Sequence, residues 1–186
     1  MPETNSFTDG NILIRPFRAE DIQKVFEAVR ESINEVAPWL PWCHAGYQVE
    51  ETTEFILSRD VAWKNDTEYG FGIFDAKTEK FLGGVGLSQV NRTHGMANLG
   101  YWVRTSCAGH SVATAAARQT ARFALEEFRL HRVEILAATG NHASQRVAEK
   151  AGATREGVLR KRLLVKGQAQ DAVLYSLIRE DFSIAE

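Results

Sequence analysis

The sequence predicts a mixed α/β domain, with a central, mostly antiparallel sheet of about seven strands and about four flanking helices. Three observations predict it. Residues 68–104 hold three apolar runs rich in aromatic and glycine residues, joined by short polar turns; such connections pair strands antiparallel. From residue 111 the period changes. Val112, Ala116, Phe123, Ala124 and Phe128 recur at helical spacing, and residues 132–139 (RVEILAAT) form a short apolar strand. That is a strand–helix–strand unit, whose strands run parallel. Third, 186 residues with 44% hydrophobic and 25% charged content match ordinary globular usage and bury a sizeable core.

Composition also excludes classes. A net charge of −2 gives no basic stripe for nucleic acid. No apolar run approaches the roughly 20 residues that span a bilayer. The first residues, MPETNSFTDGN, carry no apolar leader segment, so residues 1–10 read as a polar tail and the location as cytoplasmic. Cys43 and Cys107 sit in no metal-like pair. One disulfide between them is possible, but two reduced thiols are the simpler reading. The five histidines form no i, i+4 pair, so no metal site is expected.

The elements follow in order. Residues 11–17 (NILIRPF) alternate partly and end at Pro16, a first strand. Glu20 and Asp21 suit the positive N-terminus of a helix. Ile22, Val25, Phe26, Val29 and Ile33 give it an apolar stripe to about Val36. Pro38 and Pro41 stop it, and Trp39 and Trp42 stand in the Pro-stiffened loop. Their indoles are either core plugs or the wall of a cleft, and there they would bind substrate. A second helix covers residues 49–64. Strands follow at 68–74, 81–90 and 96–104. Gly83, Gly84 and Gly86 inside the second mark a bulge or a close backbone approach. After the helix at 111–128 and the strand at 132–139, Asn141 starts a fourth helix that ends at Gly152. Strands at 157–165 and 172–178 close the chain around a turn at 166–168.

The loop TSCAGHSVAT, residues 105–114, carries the chemistry. A strand that ends in small residues and opens a helix aims free N–H groups at one point, and the helix dipole adds about half a positive charge there. Such a place suits a phosphate or pyrophosphate, although an ordinary tight turn has the same sequence features. No GxxxxGK[ST] and no GxGxxG is present, which excludes the common nucleotide-loop readings.

Several segments in this order resemble the GNAT superfamily of acyl-CoA-dependent N-acyltransferases, and within it the RimJ/RimL ribosomal-protein branch. They are Leu13-Ile14-Arg15-Pro16, Trp39-Leu40-Pro41-Trp42, Leu99-Gly100-Tyr101-Trp102-Val103 and Leu130-His131-Arg132-Val133-Glu134. The Asn141/Ser144/Lys150/Gly152 spacing, Glu156-Gly157-Val158-Leu159-Arg160, and Asp171 with Leu174-Tyr175-Ser176-Leu177 complete the set. The resemblance covers residues 11–181 and implies one acetyltransferase domain, monomeric or homodimeric. It would move acetyl from acetyl-CoA directly to a primary amine, such as a ribosomal-protein N-terminus. A small-molecule acceptor (antibiotic, polyamine or amino sugar) and a catalytically impaired binding module are the alternatives.

The resemblance also assigns residues. The pyrophosphate loop Q/R-x-x-G-x-G/A falls on Ala108 to Ala113, with Gly109, His110, Ser111, Val112, Ala113 and Thr114 as contacts. Ala108 and Ser111 depart from that pattern. A serine at position 111 is costly if φ is positive there, and would otherwise serve as a helix cap. The backbone of Tyr101, Trp102, Val103 and Arg104 would pair with the pantetheine arm like an added strand. Asn141 would bind near that arm, and Arg146 and Lys150 would reach the phosphates. Ser144 matches the position that protonates the leaving thiolate; its plain alternative is a solvent-facing helix serine. Many relatives place a Tyr one turn later, where this chain has Ala148. No carboxylate matches a family base: Leu163 and Asn98 stand where some relatives carry an acid. Glu35, Glu68 and His94 are candidates on chemistry alone.

Overall fold

A computed structural model describes residues 5–182. Its framework is one sheet of eight strands in the order β1-β2-β3-β4-β5-β6-β8-β7. The strands are β1 (Phe7–Thr8), β2 (Ile12–Pro16), β3 (Tyr69–Asp75), β4 (Phe81–Asn91), β5 (Met96–Val103), β6 (Arg132–Ala138), β7 (Thr154–Val165) and β8 (Gln168–Leu177). The helices are α1 (Ile22–Val36), α2 (Val49–Lys64), α3 (Val112–Glu126) and α4 (His142–Lys150). All pairs are antiparallel except β5 with β6, which run parallel around the α3 crossover as the sequence predicts.

The sheet has one strand more than the seven expected, and it lies in the expected tail. Phe7 pairs with Ile14, and its ring stacks on Phe123 at 4.6 Å and meets Phe71 edge-on at 5.5 Å. Two residues show no periodicity, so the pairing is invisible in sequence. Residues 1–4 of that tail lie outside the described part. At the other end, β7 and β8 meet at Lys166 and Gly167, both with positive φ (50° and 74°), the backbone a two-residue hairpin turn needs.

Each face of the sheet carries its own apolar cluster. Under α3 and α4 lie Ile14, Phe71, Ile73, Leu87, Leu99, Leu125, Val133, Ile135 and Tyr175, all buried, against Ala116, Ala117, Ala121 and Ala124. The alanines favour the helix and let it sit close on the strands. Under α1 and α2 a smaller cluster gathers Phe17, Val25, Val29, Ile56, Phe74 and Phe81. The buried Asp21 pins the start of α1 to β2, taking two hydrogen bonds from Arg15 at 2.7 and 2.8 Å and one from the Arg18 amide at 2.8 Å. Cys43 and Cys107 are buried free thiols in different clusters. Among the described residues, no helix is long and apolar enough to cross a membrane.

Candidate active site

The site begins where the one parallel pair comes apart. β5 and β6 are in register only from Met96↔Arg132 to Asn98↔Glu134. Beyond that, β5 keeps its partner β4 and β6 keeps β8, so two strand edges face each other across a wedge. The edges belong to residues 99–103 and 135–138, and an extended chain can add to such an edge. Tyr101, Trp102 and Val103 therefore lie along it. The side chain of Arg104 is engaged elsewhere, donating to Glu31 through Nε at 2.8 Å.

The loop at the mouth of the wedge is held from α1. The Ser106 amide donates to Glu31 at 2.8 Å, the Thr105 amide to Ser32 Oγ at 3.0 Å, and the Thr105 hydroxyl to Glu35 at 2.9 Å. The Arg104 guanidinium, with the Ser106 amide, holds the Glu31 carboxyl down at about 2. Past this anchor Gly109 takes φ +81° and Ser111 takes φ +60°, ψ 8°. The serine thus adopts the left-handed conformation that favours glycine, at a cost of roughly 1–2 kcal/mol. With φ positive, the costly arm of the expectation holds and not the cap: the side chain caps nothing and is exposed to solvent. The first helical bond of α3 is Ala115 N–H to the Ser111 carbonyl at 2.9 Å. Among the described residues, no protein group accepts from the amides of residues 109–114. Six successive free amides, those of Gly109, His110, Ser111, Val112, Ala113 and Thr114, surround the positive end of a 15-residue helix. Free amides at a positive helix end have the chemistry to take a diphosphate group, and they are main-chain atoms, present whatever side chains stand at Ala108 and Ser111.

Across the wedge stands α4. Asn141 caps it as expected, its Oδ1 accepting from the Ser144 amide at 3.1 Å. Ser144 is half-buried, and its carbonyl and hydroxyl lie 2.9 and 3.1 Å from the Tyr101 hydroxyl. Burial pushes the Tyr101 phenol up to about 12. Arg146 and Lys150 are exposed on the outer face of α4, and Ala148 is fully buried.

On the opposite face of the sheet is a cavity of about 1010 Å³ under α1, α2 and their loop. Glycines form much of its floor, with neighbouring side chains laid over several of them: Arg59 on Gly70, Phe74 on Gly72 and the Trp102 indole on Gly84. Gly70, Gly86 and Gly100 lie side by side in register, and beside them Gly72, Gly84 and Trp102 do the same. A Cβ on Gly100 would meet nothing, while one on Gly84 would strike the Trp102 indole at 2.8 Å. Gly83, by contrast, marks the predicted close approach, with space for no Cβ against the Trp102 carbonyl at 2.2 Å. The glycines at 70, 72, 84, 86 and 100 share a period of two. That signal was present in the sequence, although only 83, 84 and 86 stand out when one strand is read at a time.

The two loop indoles part company. Trp42 lines the cavity, 5.6 Å from Trp102 and 6.1 Å from Tyr47. Trp39 instead lies beside Gly140, just before Asn141. Of the base candidates, Glu68 lines the cavity but is paired with Arg59 at 2.8 Å. Glu35 is bound to Thr105, and His94 sits in the β4–β5 turn. Asn98 Oδ1, at the last paired rung of the wedge, is buried without a protein partner. Among the described residues, no three His, Cys, Asp or Glu side chains gather as a metal site.

The split parallel pair with a free amide loop at its mouth fits the acyl-CoA-dependent acyltransferase class that the resemblance implies. Residues 11–154 match the Acetyltransferase (GNAT) domain family, and the chain belongs to that family of acetyltransferases. A Bacillus subtilis (strain 168) protein described as "Putative ribosomal N-acetyltransferase YdaF" is 31% identical over 175 residues, 92% of this chain and 93% of that protein. Two solved structures share the fold. A ribosomal-protein-S5-alanine acetyltransferase from Vibrio fischeri has a TM-score of 0.83 at 23% identity, covering 96% of this chain and 99% of the other. Mycobacterium smegmatis RimJ in complex with a CoA disulfide has a TM-score of 0.84 at 22% identity, covering 97% and 88%. The enzyme is thus a GNAT acetyltransferase of the RimJ/RimL-like kind.

Proposed function

We propose that the enzyme moves acetyl from acetyl-CoA to the α-amine of a protein N-terminus, such as that of a ribosomal protein, in a ternary complex. The observation that carries the reading is the run of unpartnered amides at residues 109–114, facing a wedge that leads to Ser144. The amides would hold the pyrophosphate, with Arg146 and Lys150 near the outer phosphates. The edge of Tyr101 to Val103 would take the pantetheine arm, with Asn141 beside it. Ser144 would donate its proton to the sulfur as the carbon–sulfur bond breaks. The RimJ neighbour was solved with a CoA disulfide, which supports acetyl-CoA as the acetyl source.

The acceptor would enter from the glycine-floored cavity, with Trp42 on its wall. Glu51, Glu54 and Glu68 outnumber Arg59 there, which favours an amine over an anion. Trp42 is 40% exposed and leaves the side of the cavity open, which suits a chain end more than an enclosed small molecule. An α-amine titrates at roughly 7.7–8.0 and is about a tenth neutral at pH 7, whereas a lysine titrates near 10.4. With the candidate carboxylates paired or hydrogen-bonded, an amine needing little help from a base is the better match.

The test is an acceptor panel read by thiol release. It compares peptides with a free α-amine, peptides with a blocked α-amine and a free lysine, and small polyamines. The reading expects turnover with the first group at least tenfold above the others. Preference for polyamines would overturn the acceptor assignment, and no turnover with any amine would overturn the enzyme reading of this site.

A further inference from the structure

We infer that Tyr101 is a positioning residue for Ser144, tying β5 to α4 across the wedge and setting the direction in which the serine hydroxyl points. The inference rests on the proposed role of Ser144 and asks what aims its proton.

Ser144 is held at both ends of its main chain. Asn141 Oδ1 accepts from its amide at 3.1 Å, and Tyr101 lies 2.9 Å from its carbonyl oxygen. The Oγ–H is the part left free to turn, and it lies 3.1 Å from the same phenol. The proton count is restrictive. A carbonyl only accepts, and a phenol has one proton. When that proton rests on the carbonyl, the Oγ contact requires Ser144 to donate to Tyr101, so the serine proton is occupied. When the phenol proton turns to Oγ, the serine proton is released toward a third atom, and Oγ keeps a donor behind it. The two arrangements differ by rotation of two O–H bonds, with no movement of heavy atoms.

In the transfer step the amine nitrogen bonds to the carbonyl carbon, and the carbon–sulfur bond breaks with its electron pair on sulfur. The sulfur takes the Ser144 proton, and the Tyr101 hydrogen bond remains on the serine oxygen. The new amide sheds its surplus proton to solvent, and solvent restores Ser144. Tyr101 gives up no proton. Its burial fits this role, since a phenol that titrates far above neutrality stays a donor throughout the working range. The ring is half-buried, packed against the core under α3 and α4, and Tyr101 stands opposite Val85. The residue one turn along α4 is the buried Ala148, whose side chain has no proton to give.

The test compares the wild type, Tyr101→Phe, Ser144→Ala and the double variant with the best acceptor of the panel. Tyr101→Phe should lower kcat about tenfold with KM for acetyl-CoA within about twofold, and the double variant should be no slower than Ser144→Ala. Wild-type kcat in Tyr101→Phe while Ser144→Ala is slow, or losses that multiply in the double variant, would overturn the positioning role and leave Ser144 in place. Unchanged turnover in Ser144→Ala would instead remove the reading beneath it. A difluorotyrosine at position 101 keeps the ring and its hydroxyl but ionises at lower pH. Its kcat should fall as the phenolate forms, where wild-type kcat stays level; the absence of that fall would also overturn the proposal.

Discussion

The two faces of the sheet are built by opposite means. Under α3 and α4 the space is filled, with alanines packed on large aliphatic and aromatic side chains. Under α1 and α2 the strands present glycines, and a cavity of about 1010 Å³ remains. The filled face carries the wedge, and α1 anchors the amide loop from the other side through Glu31, Ser32 and Glu35; in the proposed reading the groups that hold the donor are mostly main chain. In the proposed reading the bare face would leave recognition to a few cavity-lining side chains, such as Trp42, Trp102 and Tyr47. Changes of side chain should therefore alter the acceptor side more readily than the donor side. Ala108 and Ser111 fit that contrast, since both depart from the family pattern without closing the amide loop.

The contrast can be broken in order of effect. Asp21→Ala leaves the Arg15 guanidinium buried and unpaired at the root of α1, and should cost about 3–5 kcal/mol in chemical denaturation. Ser111→Pro locks φ near −65° where the loop needs +60°. It should weaken coenzyme A binding by about a hundredfold in calorimetry, with the helical circular dichroism retained. Gly100→Val places a side chain in open cavity space on a strand that accepts it. It should raise acceptor KM about tenfold and leave acetyl-CoA KM unchanged. The smallest effect is electrostatic. The Glu31 carboxyl is held at about 2, below its ordinary 4.5, first by Arg104 and then by the Ser106 amide. The stability it contributes is present above pH 4.5 and is lost as pH falls toward 2. Glu31→Gln should flatten the fall of melting temperature in that window.

Most elements were legible because their periods are long and their ends are marked. Asn141 as a cap and the parallel β5–β6 pair are examples. The end of α3 was not: it stops at Glu126, and Arg129 takes φ +52° with no glycine to announce it. The wedge was not foreseen, since register loss after Asn98 leaves no local signature; the resemblance offered only the backbone of Tyr101 to Arg104 as an edge. The Tyr101–Ser144 contact joins residues 43 apart, through a side chain that reads from sequence as ordinary strand. The positive φ of Ser111 was legible only as a condition, because the type of residue does not reveal its backbone.

The central claim is that the amides of residues 109–114 grip a diphosphate and so place a thioester beside Ser144. Calorimetry of coenzyme A against pantetheine, which lacks the diphosphate, tests it most directly. The account predicts coenzyme A binding at least a hundredfold tighter, about 2.7 kcal/mol. Equal affinities, or no binding of coenzyme A, would contradict it.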